Sequence, residues 1–246
     1  MPISERQKDI LWAVIEAHTK LAEPVSSKAL AKERGFEIGA PMIRKEMNQL
    51  EKEGYLASPH TSAGRVPTDK AYRLYIQERI NNKPVELTSK EKQKVNESLN
   101  QKLPEHVLLQ MISKVVSELS KELSVAGTVD GRSKYFCGFS NLSDEPEFGV
   151  FENLNHQLMW FMDNLDTYFE QLWQQSFFED LNVFIGHENP IKEINEFTLI
   201  TGKYQLPEGT EGFVSIVGPT RMNYRRNMAL VEYISGCINK KIENRK

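Results

Sequence analysis

Three short helix patterns, each with its own start and stop residues, fill the first 54 positions, and a strand-like run and a polar turn follow directly. Each helix carries an apolar face on one side, so the three read as one helix set. Ser4 with Gln7 forms a capping box, and Ile10, Leu11, Val14, Ile15 and His18 then recur at helical spacing. Pro24 interrupts the chain, Ser26 or Ser27 caps a second helix holding Ala29 and Leu30, and Gly35 supplies its stop. Pro41 suits the first turn of a third helix, whose buried stripe is Ile43, Met47 and Leu50 and whose end is Gly54.

The other face of the third helix offers Met42, Arg44, Lys45, Asn48 and Lys52. Asn and Arg can pair with base edges in a major groove, while Lys serves phosphate or guanine. Tyr55-Leu56-Ala57 reads as a strand, and the run Ser58 to Thr68 as a polar hairpin turned at Gly64 with Arg65 as its cation. Three helices followed by a basic hairpin predict a winged helix-turn-helix, with the third helix in the groove and the hairpin on the backbone. The expected DNA contacts are Ser26, Ser27, Lys28, Met42, Arg44, Lys45, Asn48, His60, Thr61, Ser62 and Arg65. Arg65 is expected to act as the groove or phosphate contact at the wing's tip.

Charge supports the same division. Residues 1–80 carry 13 Lys and Arg against 11 Asp and Glu, a net of +2 on a chain whose total is −3. A mildly basic head on an acidic body suits a small local patch of DNA contacts rather than non-specific coating.

Beyond the hairpin, residues 81–105 are polar, with Pro84 and Pro104 near the ends, and read as a linker or a loosely packed helix. Leu108, Met111, Ile112, Val115, Leu119 and Leu123 predict an amphipathic helix, and residues 155–173 a second one with a broad apolar face. Residues 182–186, 197–201 and 212–217 are rich in β-branched and aromatic residues and predict three strands. Thr220 is expected to cap a last helix reaching Ile242, with Arg221 in a salt bridge. The expected class is α+β. The domains are expected at residues 1–80 and 106–246, joined by 81–105.

No catalytic set emerges. The five histidines lie in separate elements without paired ligand spacing, and Cys137 and Cys237 form no CxxC pair, so neither enzyme nor metal chemistry is expected. The apolar runs are short and broken by charge, and residues 1–20 carry acids and lysines among their apolar positions. A cytoplasmic protein with no membrane span and no cofactor is the expectation.

Longer strings carry a resemblance. Glu23-Pro24-Val25-Ser26-Ser27, Met42-Ile43-Arg44, Leu50-Glu51 with Gly54-Tyr55-Leu56, and Pro59-His60-Thr61-Ser62-Ala63-Gly64-Arg65 resemble the bacterial heat-inducible transcription repressor family, HrcA. So do Gly138-Phe139-Ser140-Asn141-Leu142, Pro146-Glu147-Phe148, and Gly218-Pro219-Thr220-Arg221-Met222 in the second half. The resemblance implies a winged helix-turn-helix domain followed by a GAF-like α+β domain for dimerisation or regulation. It implies a dimeric repressor of chaperone genes on an inverted-repeat operator of double-stranded DNA, kept active by a GroE-type chaperonin and released on heat stress. A small-molecule-responsive winged-helix regulator is the alternative.

This member is abbreviated, since Val125 to Lys134 passes directly across a place where the family carries a long segment, so a smaller or partner-completed sheet is expected. Met42 and Lys45 stand where the family has Thr and Asn, and Gly39 replaces a capping Ser. The docking mode is implied by the resemblance; the operator sequence is not.

Overall fold

The computed structural model describes residues 3–33, 36–60, 64–80, 86–99, 103–147, 152–165, 167–168, 171, 180–190, 192–206 and 209–243. The chain divides into two compact units, Met1–Lys83 and Pro84–Lys246.

The first unit opens with α1 (Glu5–Leu21), where the Ser4 hydroxyl accepts from the Gln7 amide and Gln7 Oε1 accepts from the Ser4 amide. Ile10 to Ile15 are all buried. α2 (Ser27–Glu33) and α3 (Ala40–Lys52) pack together and close on α1. Leu30 is buried in α2 whereas Ala29 is exposed, so that helix offers a narrower apolar face than its sequence suggests. Ile43, Met47 and Leu50 are buried in α3, and Glu46 joins them because Arg6 lies 2.7 Å from one carboxylate oxygen and Gln7 donates to the other at 3.1 Å.

β1 (Leu56–Ala57) and β2 (Val66–Pro67) pair antiparallel as the stem of the wing. Val25 adds a further bridge by exchanging backbone hydrogen bonds with Arg65 at 2.8 and 2.9 Å. α4 (Asp69–Tyr75), capped by Thr68, returns to α1, where Trp12 and Tyr75 meet edge to face at 5.3 Å and Tyr72 bonds His18 Nδ1 at 2.9 Å. A π-helical turn, Ile76–Ile80, follows.

The second unit begins with α5 (Ser89–Leu99), so of the two readings of this stretch, linker or loosely packed helix, the helix is the one found. Val95 and Leu99 are buried, and the helix packs on α6 (Glu105–Ser120). Lys121 in the left-handed region (φ 65°) ends α6, so Leu123, expected as the last residue of the helix, instead opens a strand.

Among the described residues the sheet has five antiparallel strands rather than three. β3 (Leu123–Thr128), β4 (Lys134–Cys137), β5 (Leu181–Ile185), β6 (Phe197–Gln205) and β7 (Glu211–Pro219) run in the order β4-β3-β7-β6-β5. The connection from β3 to β4 is a short hairpin, and both its strands pair within this chain. The described residues of this unit also form α7 (Phe139–Ser143), α8 (Glu152–Asp163) and α9 (Tyr224–Glu243).

Strand alternation sorts the sheet residues between two layers. Leu123, Val125, Leu199, Phe213 and Val217 form one core with Leu158, Phe161, Leu165 and Tyr168. α6 and α9 also pack on the strands, with Gly202 so close to α9 that a Cβ there would lie 2.6 Å from Val231 Cγ1. The α9 cap is Asn223, whose Oδ1 accepts from the Arg226 amide at 3.2 Å; Thr220, expected in that role, lies in the turn before it. This mixed α+β body is of the GAF-like kind.

Candidate nucleic-acid interface

In the first unit, α2 and α3 form the helix-turn-helix pair, and α3 buries one stripe and exposes the other. Burial of Ile43, Met47 and Leu50 turns Arg44, Lys45, Asn48 and Lys52 outward, and all four are exposed. Arg44, Lys45 and Lys52 have no ion pair among the described residues. Their charge is available to an incoming polyanion. Met42, in the first turn of α3, is 41% exposed, an unusual degree for a large apolar side chain.

Beside this face lies the start of α2. Ser26 Oγ accepts from the Ala29 amide at 3.2 Å, which makes Ser26 the cap and leaves Ser27 as the first helical residue. Lys28 is exposed one position further on. His60 is exposed, while Thr61 and Ser62 lie outside the described residues.

Arg65 departs from its expected place. It stands at the base of the wing, next to β2, and its side chain turns back onto α3. Nη2 lies 2.9 Å from Glu51 Oε2 and donates to Asn48 Oδ1 at 3.1 Å, while Nη1 donates to Ser58 Oγ at 3.1 Å. The side chain is only 19% exposed, and its charge is met by Glu51. The neighbouring Gly64 is required for space, because a Cβ there would lie 2.4 Å from the backbone oxygen of Val25. No spacing rule predicts these partners, since they meet only once the hairpin has folded over α3.

The second unit holds a polar cluster that gathers three separate sequence strings. Arg221 donates to Glu145 and forms a two-point pair with Glu147, one leg of which measures 2.8 Å. Burial by itself would lower the Arg221 pKa, but the two carboxylates outweigh it and the pKa is raised. Asn141 Nδ2 donates to Ser117 Oγ at 3.0 Å, and Gly138 is so close that a Cβ would lie 2.0 Å from the same oxygen. Beside them Glu122 is 7% exposed, and its Oε2 has no hydrogen-bond partner among the described residues. Burial first, and then the charge of Glu145, push the Glu122 carboxyl up to about 8. The cluster ties the α6–β3 turn to the β7–α9 turn. Among the described residues no group of His, Cys, Asp and Glu is arranged to hold a metal ion. Nor is any described helix long and apolar enough to cross a membrane.

Residues 68–228 match the family model described as the HrcA protein C-terminal domain. The chain is 25% identical to the heat-inducible transcription repressor HrcA of Thermodesulfovibrio yellowstonii, over 93% of this chain and 95% of that protein. The alignment runs to 334 positions against the 246 residues of this chain, so the relative carries residues that this chain lacks. A 74-residue stretch is 58% identical to the HrcA of Geobacter sulfurreducens, covering 30% of this chain and 22% of that one. A crystal structure titled as a hypothetical protein shares the fold, with a TM-score of 0.80 at 19% identity over the full length of both chains.

Proposed function

The chain belongs to the HrcA family, and from that premise we propose that it represses heat-shock genes by binding an inverted-repeat operator through α3 and the wing. The observation that carries this reading is the outer face of α3, where Arg44, Lys45, Asn48 and Lys52 are exposed together on a helix whose opposite side is locked into the core. Arg44 and Asn48 are the base readers; Lys28, Lys45 and Lys52, with the wing residues Ser58 and His60, meet the sugar-phosphate backbone. Ser26 and Ser27, at the start of α2, add hydroxyl contacts to the same backbone.

Two copies of the chain, paired through their second units, would match the two halves of the repeat. The protein acts in the cytoplasm, and a GroE-type chaperonin keeps it competent until heat-damaged protein competes for that chaperonin. Binding of the full chain to double-stranded DNA selected from a random pool tests the reading. Arg44→Ala is expected to weaken binding by about 1–3 kcal/mol and relax preference at one base pair per half-site. Recovery of no preferred sequence would refute it.

A further inference from the structure

We infer that Arg65 is a positioning residue for base readout, holding the Asn48 side chain in one orientation, and is not a phosphate contact; this rests on the DNA-binding reading above. A guanidinium can only donate, so the Asn48 atom it holds is the oxygen. The Asn48 amide nitrogen is thereby turned away from Arg65, with no hydrogen bond among the described residues. An exposed asparagine otherwise samples several rotamers and either amide orientation, and fixing one before DNA arrives removes that ordering cost from binding.

The same geometry argues against a phosphate role. Moving Arg65 to the backbone of DNA would break its contact with Glu51 as well as the bonds to Asn48 and Ser58. It would also leave the Glu51 carboxylate facing a polyanion without its partner. The strut is anchored from behind by the backbone exchange with Val25, so its position is set by the fold of the wing. Only a planar fork with several donors can reach Asn48, Glu51 and Ser58 together, which makes lysine a poor substitute despite its equal charge.

The experiment uses the full chain and an operator selected by the wild type, with binding measured across salt concentrations and across all four bases at each operator position. Arg65→Ala and Arg65→Lys are expected to lose the roughly tenfold base preference at the one position per half-site that Asn48→Ala also loses. The salt slope should remain that of the wild type. In the Arg65→Ala background, Asn48→Ala should cause no further change at that position, because the two act as a unit. Circular dichroism and thermal melting identify the variants that retain the fold, and Asn48→Ala, which changes an exposed side chain, provides the reference. The inference is overturned if Arg65→Ala lowers the salt slope by about one while leaving base preference intact, the signature of a lost phosphate contact. It is also overturned if preference falls equally at every position. A wild type that selects no sequence at all would instead overturn the DNA-binding reading itself.

Discussion

Glu122 illustrates how a single residue can set a pH dependence. Its carboxyl is pushed up to about 8 by burial and by Glu145, against about 4.5 in an unfolded chain. Between those values the folded protein keeps a proton that the unfolded chain releases, so stability falls as pH rises through the window, by at most about 1.4 kcal/mol per unit. Glu122→Gln mimics the protonated form. Its melting temperature should exceed that of the wild type at pH 8 and coincide with it near pH 4.5. Equal melting temperatures at both pH values would show that Glu122 is already ionised or solvated. The identity of this residue was visible in the sequence; its isolation was not. Burial of Glu122 depends on Gly218, almost 100 positions away, where any Cβ would lie 2.4 Å from the carboxylate oxygen.

At the scale of elements, the wing depends on its close approach to Val25, which bridges to it through Arg65. Gly64→Ala would drive a methyl group into backbone atoms of Pro24 and Val25, neither of which can rotate away. A loss of about 2–4 kcal/mol in the stability of the first unit is expected, read from denaturant melts, with DNA affinity falling alongside. By contrast Ser4→Ala removes one cap from α1 and should cost about 1 kcal/mol without touching base preference.

The elements best read from sequence were those with local punctuation. Ser4 with Gln7, Pro41 and Gly54 marked helix ends correctly because capping depends on residues a few positions apart. Strands β5, β6 and β7 were legible because their β-branched runs are bounded by turn residues. β3 was missed because Leu123 continues the four-residue spacing from Leu119, and only the left-handed Lys121 separates helix from strand. β4 is four residues long, and its pairing with β3 is a property of the sheet rather than of its composition. The exposed face of α3 could be drawn from its period. The Arg65 strut could not, since Asn48 and Arg65 lie on different elements.

For the whole molecule, the chain divides at Lys83 and Pro84, and the segment at 89–99 shows why that border is blurred in the sequence. Its apolar stripe is thin, yet Val95 and Leu99 suffice to bury it against a larger body. The net charge of −3 leaves long-range attraction to DNA weak, so the proposed binding would rest on the local cations of α2 and α3. Lys28→Ala and Lys52→Ala should each reduce the salt slope of operator binding by about one, with base preference unchanged, in fluorescence anisotropy titrations. A slope unaffected by both would remove these lysines from the interface.

The central claim is that α3 directs this chain to an inverted repeat controlling heat-shock genes. Genome-wide sequencing of the DNA bound by the full chain in its own cells, for the wild type and for the Arg44→Ala, Lys45→Ala double variant, tests it most directly. The account predicts an inverted repeat upstream of chaperone genes, occupied by the wild type at growth temperature, vacated on heat shock, and absent from the double variant's bound set. Bound DNA without a shared sequence, or a shared sequence retained by the double variant, would contradict it.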